Sequence, residues 1–130
     1  MNSTGQEKKI LLVEDEVELG QLLLSRLERS GYAVCATGTG AEGLGKLREL
    51  KPDLVILDLT LPDMMGNQVC ELIRKDPDPQ IADIPVLILS GKAPDVVEEI
   101  CRSCQATSYV IKPYNPANLI NEINRCISLK

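Results

Sequence analysis

The chain has 130 residues, a formal net charge of −5 and an isoelectric point near 4.8, and its length suits a single domain with one hydrophobic core. An acidic chain is a poor nonspecific ligand for nucleic acid, which needs basic side chains to displace counterions. No apolar run approaches the roughly 18 residues of a membrane span, and the polar segment 1–9 lacks the apolar core of a signal peptide. We therefore expect a cytoplasmic protein without direct nucleic acid or membrane partners.

Short apolar runs alternate with segments of helical periodicity along the chain. Each run of mainly Leu, Ile and Val stops abruptly, as buried strands do, and each following segment repeats apolar residues three or four positions apart. The predicted strands are 9–13, 32–37, 54–57, 85–89 and 108–111. The predicted helices are 19–30, 42–50, 68–75, 95–104 and 116–127, and residues 76–79 are predicted to be a turn.

Five alternations of strand and helix predict an α/β fold. The central strands are apolar throughout instead of alternating, which indicates that helices cover both faces of the sheet. The predicted architecture is a five-stranded parallel, doubly wound sheet. We expect residues 1–8 to be a flexible N-terminal segment and residues 9–130 to form the domain.

Polar residues stand at the ends of four of the five predicted strands. Glu14 and Asp15 follow the first strand, Asp58 the third, Ser90 the fourth and Lys112 the fifth. The carboxyl ends of parallel strands share one edge of the sheet, so these side chains should converge on one crevice. Taken singly, each has an ordinary explanation as a helix cap, a turn residue or a surface lysine. Their joint placement favours a functional site.

This combination of groups suits phosphoryl transfer. Clustered carboxylates repel one another, and a hard divalent cation such as Mg²⁺ relieves the repulsion by taking their oxygens as ligands. A carboxylate such as Asp58 can act as a nucleophile and form an acyl phosphate. Lys112 and the Ser90 hydroxyl could supply positive charge and a hydrogen bond to the phosphoryl oxygens.

Four blocks of the sequence resemble the receiver domain of two-component response regulators, over essentially the whole chain. They are LLVEDE at 11–16, DLTLPDMMG at 58–66, LILSG at 87–91 and YVIKPY at 109–114. The resemblance implies a flavodoxin-like fold with strand order 2-1-3-4-5. It also implies a phosphorelay switch, either a stand-alone receiver or a module of a larger regulator or hybrid kinase. Such a domain is no turnover enzyme and assists only its own phosphorylation and dephosphorylation.

The resemblance also assigns a phosphoacceptor and a metal site. Asp58 would accept a phosphoryl group from a partner histidine kinase or phosphotransfer protein, and the domain would then control a downstream effector. Mg²⁺ would be bound by Asp15, Asp58 and the backbone carbonyl of Thr60. Glu14 would act through a coordinated water.

Three further residues take their roles from the same resemblance. Ser90 would move toward the phosphoryl group, Lys112 would pair with it, and Tyr109 would turn inward as the switch residue. Receivers usually hold the peptide bond between this lysine and Pro113 in the cis form, which would direct Lys112 into the site.

Three alternatives compete with a phosphorylatable receiver. Residues 38–43 form a GxGxxG pattern with Asp58 about twenty residues beyond its first glycine, which is typical of a dinucleotide site. The pattern follows the second strand instead of the first, so we favour a glycine-rich turn. A haloacid-dehalogenase-like phosphatase would carry a second aspartate where Thr60 stands. The third alternative is a degenerate receiver used only for binding, against which the full set of polar residues counts.

The five cysteines are Cys35, Cys70, Cys101, Cys104 and Cys126. Cys101 and Cys104 form a CxxC, but the pair falls late in a predicted helix and not at the start of one. The chain has no His and no second CxxC that could complete a zinc site. We therefore favour free, mostly buried thiols over a metal or redox role.

Overall fold

The computed structural model describes residues 7–128, which form one parallel sheet between two layers of helices. Most of the segment 1–8, for which we predicted flexibility, lies outside the described residues, as do residues 129 and 130. The strands are β1 (Lys9–Val13), β2 (Ala33–Thr37), β3 (Leu54–Asp58), β4 (Val86–Ser90) and β5 (Ser108–Ile111). The helices are α1 (Val17–Arg29), α2 (Gly40–Leu50), α3 (Gly66–Arg74), α4 (Pro79–Ala82), α5 (Pro94–Cys104) and α6 (Pro116–Ser128).

The strand order is β2-β1-β3-β4-β5, and every neighbouring pair is parallel. This confirms the predicted doubly wound architecture and the order 2-1-3-4-5. The inner strands β3 and β4 are buried along their whole length, whereas the edge strands β2 and β5 are mostly half-buried. Continuous apolar sequence therefore belongs to the strands that helices cover on both faces.

Two hydrophobic layers hold the helices to the sheet. Leu11 and Val13 of β1 pack in the layer under α2, α3 and α5, while Ile10 and Leu12 pack in the layer under α1 and α6. This alternation follows from the two-residue repeat of a strand. The longest helices have 13 residues, and none within residues 7–128 is long and apolar enough to cross a membrane.

The helices α1 and α3 each begin two residues before their predicted starts, and the structure explains two further differences, at α2 and α4. α2 begins at Gly40, two residues earlier than predicted, because the Thr39 side chain accepts a hydrogen bond from the Glu42 amide and caps the helix. The predicted turn at 76–79 leads into the one-turn helix α4, which was not predicted. Pro79 suits a first helical position, and the Asp78 side chain accepts from the Gln80 amide at 2.9 Å.

Candidate functional site

Three carboxylates converge where the neighbouring strands β1 and β3 end. Glu14 and Asp15 directly follow β1, and Asp58 is the last residue of β3. One oxygen from each carboxylate lies within 4.8 Å of the other two. Glu14 and Asp58 are buried, whereas Asp15 is exposed. Within residues 7–128 no other group of three acidic, Cys or His side chains lies so close together.

Lys112 enters this crevice from the end of β5. Its Nζ lies 3.0 Å from Asp58 Oδ2 and 3.4 Å from Glu14 Oε1. Its backbone N–H donates to the Ser90 carbonyl at 2.7 Å, which joins the ends of β4 and β5. The Lys112–Pro113 peptide bond is cis, as the resemblance implies. The lysine that the sequence placed at the strand ends therefore contacts two of the three acids.

The charges in the crevice do not balance. Burial is the main cause that raises the pKa of Glu14 to about 7. The hydrogen bond from the Glu16 amide lowers this pKa, and the nearby Asp58 charge raises it further. Burial alone would lower the pKa of Lys112, but its contacts with Asp58 and Glu14 outweigh burial and raise it. One ammonium thus contacts two of the three clustered carboxyl groups, an arrangement that suits an additional cation.

The other predicted site residues lie around this cluster. Ser90, at the end of β4, is buried, and its Oγ accepts a hydrogen bond from the Lys92 amide at 3.0 Å. Thr60 is exposed, and its N–H donates to Asp58 Oδ1 at 3.1 Å. Tyr109 is half-buried in β5 and packs against the hydrophobic layer under α2, α3 and α5. In the described part of the chain, neither Ser90 nor Tyr109 hydrogen-bonds to Asp58.

The loop after Asp58 depends on a glycine whose role the sequence analysis did not identify. Gly66 N–H donates to the Leu59 carbonyl at 2.7 Å, so the loop folds back onto the end of β3. A Cβ at Gly66 would stand 2.3 Å from the Asp58 carbonyl oxygen and 2.9 Å from the Leu59 Cα. Close backbone approach therefore requires glycine here. The Gly in the DLTLPDMMG block was the available sequence signal.

The glycine-rich segment 38–43 forms the turn into α2 that we favoured over a dinucleotide site. The Asp63 carboxylate accepts hydrogen bonds from the Gly40 and Ala41 amides at 2.8 and 2.9 Å, so a side chain of this protein occupies the N-terminus of α2. A Cβ at Gly43 would stand 2.8 Å from the Val13 side chain. Gly40 and Gly43 therefore allow α2 to pack closely against its neighbours. The capping role of Asp63 was not predicted from the sequence.

The cysteines are free and mostly buried, as predicted. Cys35 is partly exposed, while Cys70, Cys101, Cys104 and Cys126 are buried.

The fold and the crevice define a class of protein: a doubly wound parallel α/β domain with clustered acids and a lysine at its strand ends. The family model of the response regulator receiver domain matches residues 10–124. The chain belongs to this family, which confirms the resemblance seen in its sequence and makes it a two-component signalling module.

Relatives and solved structures agree with this assignment. The DNA-binding response regulator MtrA of Mycobacterium tuberculosis is 34% identical over 116 residues, 89% of this chain and 49% of that protein. The alkaline phosphatase synthesis transcriptional regulatory protein PhoP of Bacillus subtilis is 38% identical over 109 residues, 84% of this chain and 44% of that protein. The chain thus spans about half the length of these curated relatives.

Two solved structures show the same fold. The chemotaxis response regulator CheY4 of Vibrio cholerae superposes with a TM-score of 0.85 at 27% identity, covering 92% of this chain and 98% of that one. The signal receiver domain of a histidine kinase from Syntrophus aciditrophicus gives a TM-score of 0.84 at 29% identity, with 93% and 90% covered. The second of these structures is a receiver that belongs to a histidine kinase.

Proposed function

We propose that this receiver is a phosphorelay switch that accepts a phosphoryl group on Asp58. The observation that carries the proposal is the contact of Lys112 Nζ with Asp58 Oδ2, 3.0 Å long, inside the crevice that Glu14 and Asp15 complete. Family membership supports the kind of chemistry, and this geometry supports the choice of aspartate. The intact set of polar groups favours a working receiver over a degenerate one.

The donor set fits Mg²⁺, a hard cation that prefers oxygen ligands. Asp15, Asp58 and the backbone carbonyl of Thr60 would hold the ion, and Glu14 would act through a coordinated water. When bound, Mg²⁺ would supply positive charge to the phosphoryl oxygens. The three carboxyl groups within 4.8 Å of one another support this assignment.

The side chains of the chain would then carry out the transfer. An Asp58 carboxylate oxygen attacks the phosphorus of a phosphohistidine, the P–N bond breaks, and an acyl phosphate forms on Asp58. Lys112, already beside Asp58, pairs with a phosphoryl oxygen. The Ser90 hydroxyl accepts from the Lys92 amide and so keeps its own proton free to donate to another phosphoryl oxygen.

The ends of β4 and β5 would transmit the effect of phosphorylation to the surface of the domain. Ser90 lies on β4, and Tyr109 lies on the neighbouring strand β5 opposite Ile88. Movement of Ser90 toward the phosphoryl group would alter the segment that leads into α5. Tyr109 would then turn inward from its half-buried position and change the surface around α5 and β5.

Partners follow from this role. A histidine kinase or phosphotransfer protein would supply the phosphoryl group, and a downstream effector protein or domain would recognise the switched surface. The net charge of −5 supports a receiver without direct nucleic acid contact. MtrA is described as DNA-binding, but that description applies to a protein about twice as long as this chain. We place the domain in the cytoplasm, as a stand-alone receiver or a module of a larger protein.

The switch would not turn over an external substrate. Thr60 stands where aspartyl phosphatases of the dehalogenase type carry a second aspartate, so the site lacks their acid–base residue. The domain would assist only its own phosphorylation and dephosphorylation.

Labelling with phosphoramidate and Mg²⁺ tests this proposal by intact-mass spectrometry. The wild-type chain should gain one phosphoryl group, and chelation of Mg²⁺ should prevent the gain. Asp58→Asn should remain unlabelled, because an amide cannot form the acyl phosphate, whereas Asp83→Asn, at an exposed aspartate outside the crevice, should label normally. A folded wild-type chain that stays unlabelled would support the degenerate receiver instead, and labelling of Asp58→Asn would rule out Asp58.

A further inference from the structure

Three of the five cysteines meet at one joint of the fold, away from the acidic crevice. Cys70 lies on α3, and Cys101 and Cys104 lie on the last turn of α5, which packs against α3. Cys70 and Cys104 are 0% and 1% exposed, and Cys101 is 6% exposed. The proposed phosphoryl transfer uses none of these thiols.

Cys70 and Cys104 are in direct contact although 34 residues separate them. Cys70 Sγ lies 3.3 Å from the Cys104 carbonyl oxygen, to which it donates. Cys104 Sγ in turn lies 3.8 Å from the Cys101 carbonyl oxygen. Among the described residues, the three thiols do not form a metal-binding group. The arrangement is a contact between two buried cysteines on two helices that pack together.

An arginine one turn after Cys70 braces the same joint. Arg74 Nε donates to the Gln105 carbonyl at 2.9 Å, and its Nη1 donates to the carbonyls of Ala82 and Ile84 at 2.8 and 2.7 Å. Gln105 ends α5 in the left-handed conformation, with φ of 63°. The backbone directly after Cys104 is thus held against α3, which keeps the end of α5 beside Cys70 in the folded chain.

The two thiols differ in acidity. Contact with the Cys70 thiol is the main cause that lowers the pKa of Cys104, although burial opposes it. Contact with the Cys104 thiol and burial raise the pKa of Cys70. Because thiolates are the reactive form, this difference favours Cys104 as the attacking thiol.

We propose that Cys70 and Cys104 are a reversible disulfide site, oxidised by a peroxide, that ties α3 to the end of α5. The Cys104 sulfur attacks one peroxide oxygen, the O–O bond breaks, and a sulfenic acid and water form. The Cys70 sulfur then displaces the hydroxyl group, which leaves as a second water, and the S–S bond forms. Two thiols lose two electrons and two protons, and the peroxide is reduced to water.

The proposed Cys70–Cys104 disulfide lies next to β5, which carries Tyr109, the residue that the proposed switch would move. Residues 105–107 connect Cys104 to β5, and Thr107 N–H donates to the Val86 carbonyl of β4 at 2.8 Å. A disulfide at Cys104 would anchor this entry into β5. The site itself requires no phosphorylation, so it stands or falls independently of the role of Asp58.

Peptide mapping after oxidation with hydrogen peroxide tests the proposal. The native reduced chain should lose two of its five titratable thiols and yield a peptide cross-linked between Cys70 and Cys104, and dithiothreitol should restore both thiols. Both sulfurs are buried, so oxidation should proceed through local opening and be slow. Asp58→Asn should give the same cross-link.

A matched unfolded sample shows whether the fold selects the pair. In denaturant, the short loop between Cys101 and Cys104 closes most readily, so that link should replace the Cys70–Cys104 link. Cys101→Ser should keep the native cross-link, and Cys70→Ser, checked for folding by circular dichroism, should lose it. A native map with a Cys101–Cys104 link, an intermolecular link through Cys35, or no disulfide would overturn the proposal. The wild-type map decides even if a variant does not fold.

Discussion

At the scale of single residues, Lys112 is the cation that the crevice holds against its acids. It is the only cation among the described residues that contacts Asp58 or Glu14, and its side chain is 22% exposed. A lysine held between two buried carboxylates loses the usual freedom of a surface lysine. These contacts place the ammonium where it can pair with an oxygen of a phosphoryl group on Asp58.

Substitution of Lys112 tests this role. Lys112→Met should slow phosphorylation by phosphoramidate about 100-fold, the effect of removing one preorganised charge from a transition state. Its affinity for Mg²⁺ should not fall, because the ammonium competes with the metal for Asp58. Lys46→Met, which removes an exposed lysine paired only with Glu49, should react like wild type. An unchanged rate in Lys112→Met would contradict the assignment.

The residues of the crevice were predictable, and those that support it were not. Glu14, Asp58 and Lys112 could be predicted from the sequence because each follows an apolar run that ends abruptly. Asp63 and Arg74 gave no such signal, because their partners lie on other elements of the chain. A polar side chain that caps a distant helix has no sequence periodicity to reveal it.

At the scale of elements, the loop between β3 and α3 depends on the absence of a side chain at Gly66. Its backbone runs so close to the end of β3 that a Cβ would stand 2.3 Å from the Asp58 carbonyl oxygen. Gly45 on α2 provides the contrast, because it has open space where a Cβ would be. The two positions therefore predict opposite responses to alanine.

Denaturant unfolding of the two alanine variants measures this difference. Gly66→Ala should lower the free energy of unfolding by about 2 to 3 kcal/mol, because the loop must shift to admit the methyl group. Gly45→Ala should raise it by about 0.5 to 1 kcal/mol, because alanine is the better helix former. Equal stability of Gly66→Ala and wild type would show that the loop accommodates a side chain without strain.

Element boundaries show where sequence patterns suffice. The ends of β1 and β5 were predicted to the residue, because apolar character changes there in one step. The start of α2 was missed by two residues: Thr39 caps this helix locally, and Asp63, on another loop, also accepts hydrogen bonds from its first amides. The helix α4 was missed because four residues are too few to show a helical repeat.

At the scale of the whole molecule, the predicted sheet and its two helical layers are confirmed. The order of the strands could not be read from the pattern of apolar runs, because that pattern shows which segments are strands and not which of them are neighbours. The resemblance to receivers supplied the order. The contact of Cys70 with Cys104 could not be predicted from the sequence for the same reason, since it arises only when α3 and α5 pack together.

The central claim is that a phosphoryl group on Asp58 changes the shape of the segment from β4 to β5. Amide hydrogen exchange with Mg²⁺ and the phosphoryl mimic beryllofluoride tests it most directly. Exchange should change within residues 86–111 far more than in β1 and α1, and Asp58→Asn should show no change. The same exchange with and without the mimic in the wild-type chain, or an equal response in Asp58→Asn, would contradict the account.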